Sequence, residues 1–356
     1  MTIKAKGYAA GSSTSVLEPF TFERREPRGQ DVVIDILYCG VCHSDIHTTR
    51  NQWKWSSTIY PSVPGHEIIG RVTAIGDEVS KYNVGDLVGV GCIVDSCKQC
   101  VSCDEGLEQY CDNGFTATYN SDDKVGGTIH KTTLGGYSNV ITVDENFVLR
   151  VPENLEPAAV APLLCAGITV YSPLKHWKVG AGQKVGVIGL GGLGHMGIKF
   201  AHAMGAEVVM ITTSPEKGED AKKLGADGVL LSTNMKDMAA AQNSFDLLLN
   251  TIPVGHDVVP YMTLLKRDST MVVLGAVEPL KHVDGTQFIF RRRHMAGSLI
   301  GGVAETQEML DFCGEHQITC DIEKIDIQTI NQAYERTIKG DVKYRFVIDM
   351  ASLNGL

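Results

Sequence analysis

The chain lacks any apolar run approaching the roughly 18 to 20 residues that cross a bilayer as a helix. Its start, MTIKAKGYAA, lacks the long apolar segment of a secretory signal. It has no excess of positive charge either: 32 Lys and Arg face 42 Asp and Glu, a formal net charge of −10. These absences argue against a membrane span, against export, and against a nucleic-acid phosphate backbone as the main partner. There is no internal repeat and no low-complexity segment. The 356 residues suffice for two or three domains with sizeable cores, and a soluble cytoplasmic protein is the expectation.

Cysteine, by contrast, is plentiful, with ten in the chain. Without an export signal, tightly spaced cysteines point to metal rather than to disulfides. Cys97, Cys100, Cys103 and Cys111 follow the spacing Cys-x2-Cys-x2-Cys-x7-Cys. Four thiolates so close repel one another unless a divalent cation neutralises them. Tetrahedral sulfur coordination selects zinc and closes the site to substrate, so this zinc is structural, pinning a lobe over residues 92–115. An iron–sulfur cluster also uses four cysteines, but nothing else here suggests electron transfer. Cys39, Cys92, Cys313 and Cys320 fit no ligand pattern and read as small buried residues.

The texture of the chain changes after Val151-Pro152. Before it, helical periodicity is scarce. Asp31–Tyr38 and Ile68–Ile75 read as strands, and Asn83–Val90 as a turn feeding a third. This half is expected to be β-rich and barrel-like, with functional loops. After it, Pro157–Leu174 reads as helical. Strands (Lys184–Ile188, Glu207–Thr212, Gly228–Leu231, Asp246–Asn250, Thr270–Gly275) then alternate with helices (Gly192–Met204, Pro215–Leu224). That alternation predicts a doubly wound parallel α/β sheet. Beyond about residue 296 come a helix over Glu305–Glu315, a strand near Ile325 and Ile327, a helix over Thr329–Ile338, and a final strand Arg345–Asp349.

Gly189, Gly191 and Gly194 form G-x-G-x-x-G between a predicted strand and a predicted helix. That context makes an otherwise weak pattern strong. Gly189 allows the tight turn, Gly191 lets the backbone approach a pyrophosphate, and Gly194 permits close helix–strand packing. Gly192 and Leu193 complete the loop, and the helix N-terminus offers free N–H groups to the phosphates. An NAD site needs an acid at the end of the second strand to hold the ribose hydroxyls. Here that end reads Thr212-Thr213-Ser214, with no acid. Thr213, Ser214 and Lys217 are the candidate cofactor residues there. Ser214 and Lys217 can donate hydrogen bonds and charge to a 2′-phosphate, so NADP(H) is favoured. The plainer reading of Lys217 is a solvated helix charge.

Six stretches, in order, carry a resemblance over nearly the whole chain. They are Cys39–Asp45, Gly65-His66-Glu67-x-x-Gly70, the four-cysteine loop ending Glu108–Cys111, Ala161–Gly167, Gly189–Gly194, and Asp341–Phe346. Together they resemble the zinc-dependent medium-chain alcohol dehydrogenases, and among them the cinnamyl alcohol dehydrogenase branch most. The resemblance implies a GroES-like catalytic domain over residues 1–155, a Rossmann domain over 156–296, a segment 297–356 that completes the catalytic domain, and a cleft between the two domains. It implies two zinc ions per chain. Cys42, His66 and Cys165 would hold the catalytic one, with Glu67 as a possible alternate ligand.

By the same resemblance Asp45 orients His66, Ser44 is the hydroxyl of a proton relay, and His47 is the relay's outer base. Plainer readings stand beside these: Ser44 and Asp45 could cap a helix beginning near residue 44, and His47 could be a solvated helix residue. Zinc would polarise the substrate oxygen, a proton would leave through Ser44, the nicotinamide ribose and His47, and hydride would pass to or from NADP(H). Trp53 and Trp55 could line a pocket for an aryl or allylic substrate, or could pack their own loop. Between Phe115 and His130 the spacing departs from plant members of the branch, which leaves the physiological substrate open. Arg291-Arg292-Arg293 reads as a surface or cofactor-proximal charge cluster. The branch suggests a homodimer. Two alternatives are an NAD-linked polyol dehydrogenase, disfavoured by the missing acid, and a non-catalytic zinc and dinucleotide-binding protein, disfavoured by the intact motifs.

Overall fold

Strands with one buried face make up most of the early chain, and continuous apolar runs make up the middle. The computed structural model describes residues 2–122, 130, 132–275 and 278–355. It resolves them into two units: residues up to Cys165 together with Gly301–Leu356, and Ala166–Ile300.

In the first unit a mostly antiparallel sheet takes the order Ile322–Asp326, Arg345–Asp349, Asp31–Gly40, Ile68–Ile75, Leu87–Val90, Leu149–Arg150, with Val140–Asp144 also paired to Asp31–Gly40. Asp31–Gly40 is central. It pairs Cys39 with Ile68 on one side and Val347 with Gly40 on the other. The last strand of the chain thereby lies beside residues that precede Cys42. A hairpin of Thr2–Ala10 and Leu17–Arg25 was not foreseen from the pattern.

In the second unit six strands are all parallel, in the order Gly228–Leu231, Glu207–Thr212, Lys184–Ile188, Phe245–Asn250, Leu265–Val273, His294–Gly297. The order reverses direction between Lys184–Ile188 and Phe245–Asn250, the switch point at which such sheets bind ligands outside their carboxyl ends. Val185, Val187, Ile188, Val208, Met210 and Ile211 are buried. Burial on both faces explains why these strands read as apolar runs rather than as alternation.

The helical stretch expected over Pro157–Leu174 is broken. A short helix Pro157–Val160 passes into a 3-10 turn Ala161–Leu164, and a second helix starts at Ala166. Pro162 has no N–H to continue an α-helical ladder. Cys165, at φ −130 and ψ −66, is left outside both helices. Pro157–Leu164 packs against the strands of the first unit, and the contacts divide the chain after Cys165 and after Ile300. Among the described residues no single helix is long and apolar enough to cross a membrane.

Candidate active site

Three local structures deliver the predicted metal-binding side chains within the first unit. Cys42 is the N-cap of the helix His43–Thr49, and the Cys42 N–H donates to Asp45 Oδ2 at 2.9 Å. His66 leaves the turn Pro64-Gly65, where Gly65 sits at φ +103, a left-handed value that favours glycine. Cys165 follows the 3-10 turn. The donor atoms of Cys42, His66, Glu67 and Cys165 all lie within 4.8 Å of one another, and His66, Glu67 and Cys165 are buried.

Asp45 decides which imidazole nitrogen faces the others. Its Oδ1 lies 3.0 Å from His66 Nδ1, which leaves Nε2 on the side of the cluster. Capping and orienting thus meet in one residue, because the same carboxylate also accepts from the helix N-terminus. Burial opposes protonation of His66, but the Asp45 carboxylate overrides it and raises the imidazole well above its usual range. The Cys42 and Cys165 thiols share a hydrogen bond that lowers the first and raises the second.

Glu67 is wholly buried and pairs through Oε1 with the Arg345 guanidinium. Burial pushes its carboxyl up to about 8, while Arg345 pulls it back toward ionisation. Its second oxygen, Oε2, has no hydrogen-bond partner among the described residues. A buried, orphaned carboxylate oxygen beside two thiols and an imidazole is a donor set that suits zinc, a borderline-soft ion that accepts sulfur, nitrogen and oxygen ligands.

The four-cysteine cluster forms as well. All four sulfurs lie within 4.8 Å of one another, with Cys97–Cys103 and Cys100–Cys111 both at 3.9 Å. Tetrahedral zinc with bonds of about 2.3 Å places sulfurs about 3.8 Å apart, so the cluster has the right size. Its lobe holds only the short pair Ile93–Asp95 and Thr116–Ala117 and two single turns of helix. None of the ten cysteines is joined in a disulfide. Cys39, Cys313 and Cys320 are buried; Cys92 is part-buried and donates to Leu164 O at 3.7 Å beside the first cluster.

Ser44 and His47 stand on the helix His43–Thr49, both half-buried. His47 Nδ1 contacts Gln52 Oε1 at 2.7 Å. Trp53 lies 5.1 Å from the His47 ring and 4.7 Å from Trp55, and its indole N–H donates to Thr48 Oγ1 at 2.9 Å. Trp53 is therefore tied into its own loop and also flanks His47, whereas Trp55 is exposed. Tyr119, which no pattern singled out, places its ring 5.5 Å from His66. Arg345 was also missed: it lies inside a quoted motif, but only strand pairing reveals its partner. Much of the stretch Phe115–His130 lies outside the described residues.

In the second unit Gly189 takes φ +94 in the turn after Lys184–Ile188. A Cβ at Gly194 would sit 2.0 Å from Gly189 O, whereas one at Gly191 would meet nothing within 4 Å. Helix and strand thus approach closely at Gly194, and the Gly191 side is open, as a pyrophosphate requires. Ser214 precedes the helix Pro215–Lys223 and its N–H donates to Thr212 Oγ1 at 3.1 Å. Thr213 and Lys217 are exposed. The arginine triplet does not form one charge cluster. Arg293 is buried and donates to Leu265 O at 2.9 Å and Asn243 Oδ1 at 2.8 Å, while Arg292 pairs with Asp268. Arg293 thus gives its charge to buried acceptors while Arg292 keeps a surface partner, so the run of three charges splits between core and surface.

Comparison with known proteins agrees with this architecture. Residues 28–153 match the alcohol dehydrogenase GroES-like domain family, and residues 192–315 match the zinc-binding dehydrogenase family. The aldehyde reductase YahK of Escherichia coli is 58% identical over 355 residues, 99% of each chain. A cinnamyl alcohol dehydrogenase of Sorghum bicolor has a TM-score of 0.93 at 45% identity, covering 98% of each chain. The CAD of Helicobacter pylori, solved with NADP(H), has a TM-score of 0.91 at 42% identity, covering 99% of each chain. With these matches along nearly its whole length, the chain belongs to the zinc-dependent medium-chain alcohol dehydrogenase family.

Proposed function

We propose that the chain is an NADP(H)-dependent alcohol dehydrogenase and aldehyde reductase. Its substrates are primary alcohols or aldehydes, with aromatic or allylic side chains. One observation carries the reading: four donors from three separate stretches of the chain, Cys42, His66 with Glu67, and Cys165, lie within 4.8 Å of one another. A second zinc in the four-cysteine lobe has a structural role. When bound, zinc supplies Lewis acidity toward the substrate oxygen and NADP(H) supplies or accepts the hydride.

The chain's own residues handle position and protons. Cys42, His66 and Cys165 would hold the metal, Asp45 orients His66, and Glu67 would serve as an alternate ligand. Ser44 and His47, three residues apart, share a helix face. The Ser44 hydroxyl takes the substrate proton and His47 passes it to solvent, with Gln52 Oε1 at 2.7 Å holding the imidazole through Nδ1. Trp53, against His47, suits an aryl substrate wall. Gly189 to Gly194 receives the pyrophosphate. Thr213, Ser214 and Lys217, with no acid among them, receive the 2′-phosphate. The enzyme works in the cytoplasm as a homodimer.

The test is cinnamaldehyde reduction followed by loss of NADPH absorbance, with metal content measured on the same samples. The expected result is two zinc ions per chain, a lower KM for NADPH than for NADH, and in Cys165→Ala one zinc with activity nearly abolished. A Cys165→Ala variant that kept both zincs and its turnover would overturn the metal centre, and a preference for NADH would overturn the cofactor.

A further inference from the structure

Asp45 is wholly buried and takes hydrogen bonds on both oxygens. Oδ1 accepts from the Gly65 N–H at 3.1 Å and contacts His66 Nδ1 at 3.0 Å. Oδ2 accepts from the Cys42 N–H at 2.9 Å and from the Tyr137 hydroxyl at 3.3 Å. Three of these four partners are Cys42, His66 and Gly65, the turn residue that precedes His66. The fourth comes from a part of the chain that no motif marks.

That part, Leu134-Gly135-Gly136-Tyr137, runs along the turn bearing His66. Gly135 N–H donates to Val63 O at 2.7 Å, Gly136 N–H to Gly65 O at 2.8 Å, and Tyr137 N–H to Pro64 O at 2.9 Å. The approach is so close that a Cβ at Gly135 would fall 2.4 Å from Pro64 O, and one at Gly136 would fall 2.4 Å from Ile68 Cγ1. The stretch is itself anchored. The half-buried Arg24 side chain donates to Leu134 O at 2.6 Å, Gly135 O at 2.9 Å and Ser138 Oγ at 3.0 Å. Tyr137 has no exposed surface.

We propose that Tyr137 is a positioning residue for the metal centre, its hydroxyl completing the donors that fix the Asp45 carboxylate in the orientation that presents His66 Nε2 to the metal. The inference rests on reading Cys42, His66 and Cys165 as the ligands. A carboxylate offers about four lone-pair sites, and in a buried site each missing donor is not replaced by water. With the phenol gone, Oδ2 keeps one donor, the carboxylate is freer to turn about its Cβ–Cγ bond, and the imidazole that leans on Oδ1 is held less firmly. Partners that orient metal-binding histidines typically change affinity about 10-fold to 100-fold when removed; Tyr137 acts one bond further out, so the lower end applies.

Tyr137→Phe keeps the ring and removes only the hydroxyl. The experiment follows zinc transfer from the holoenzyme to a coloured chelator, where the zinc of the four-cysteine lobe is an internal reference. The expected result is one zinc leaving about 10-fold faster, the other leaving at the wild-type rate, and an unchanged thermal midpoint. Asp45→Asn should speed loss of the same zinc further. Wild-type release of both zincs from Tyr137→Phe would overturn the proposal. So would equal acceleration of both together with a lower thermal midpoint, which would mark a general structural role. A Cys165→Ala protein that still binds two zincs would instead sink the underlying assignment of ligands, so the two failures are distinguishable.

Discussion

Arg345 and Glu67 form a buried pair beside Cys42, His66 and Cys165. Removing one member leaves a buried charge without its partner, which typically destabilises by about 3–5 kcal/mol. Arg345→Met should therefore lower stability by about that amount, read as a fall in the denaturant midpoint of the zinc-loaded enzyme. An unchanged midpoint would mean that the guanidinium is dispensable. At His47 the expected effect is on rate, not stability. An imidazole can pass a proton between partners and an amide cannot. His47→Gln should slow turnover on the order of 100-fold and change its pH profile. An unchanged pH profile would remove His47 from the relay.

Elements differ in how far they stand on their own packing. The parallel sheet of the second unit is sustained by buried Ile188, Ile211, Phe245, Leu248 and Met271. The four-cysteine lobe has no such core: none of the residues of its helix Val101–Asp104 is buried. A bound metal would supply its rigidity, because binding free energy at such a site is folding free energy. Cys103→Ser should reduce zinc to one per chain and make the lobe protease-sensitive or the protein aggregation-prone. Full zinc content together with wild-type protease resistance would show that the lobe holds itself together.

For the whole molecule, the sheet of the second unit ends at His294–Gly297, whose far side has no partner strand among the described residues. Near it in the chain, Ile289 and Phe290 are exposed, the latter by 82%. An open strand edge flanked by exposed apolar side chains is a surface that pairing with a second copy would cover. Light scattering coupled to gel filtration should give twice the 38.5 kDa chain mass, and Phe290→Asp should shift the protein toward monomer. A wild-type monomer at micromolar concentration would refute the dimer.

Much of this was readable in the residues themselves, for a physical reason. Periodicity, glycine placement and cysteine spacing are local, so Ile68–Ile75, Lys184–Ile188, the loop Gly189–Gly194 and the sulfur quartet were fixed by neighbours along the chain. Tertiary structure alone decided what depends on pairing between positions far apart in the chain. It set Arg345 against Glu67, laid Tyr119 and Tyr137 beside His66 and Asp45, and buried Arg293 within a run of three charges. Strand register and the reach of a side chain across a core leave no period in a sequence, so these contacts appear only once the chain has closed on itself.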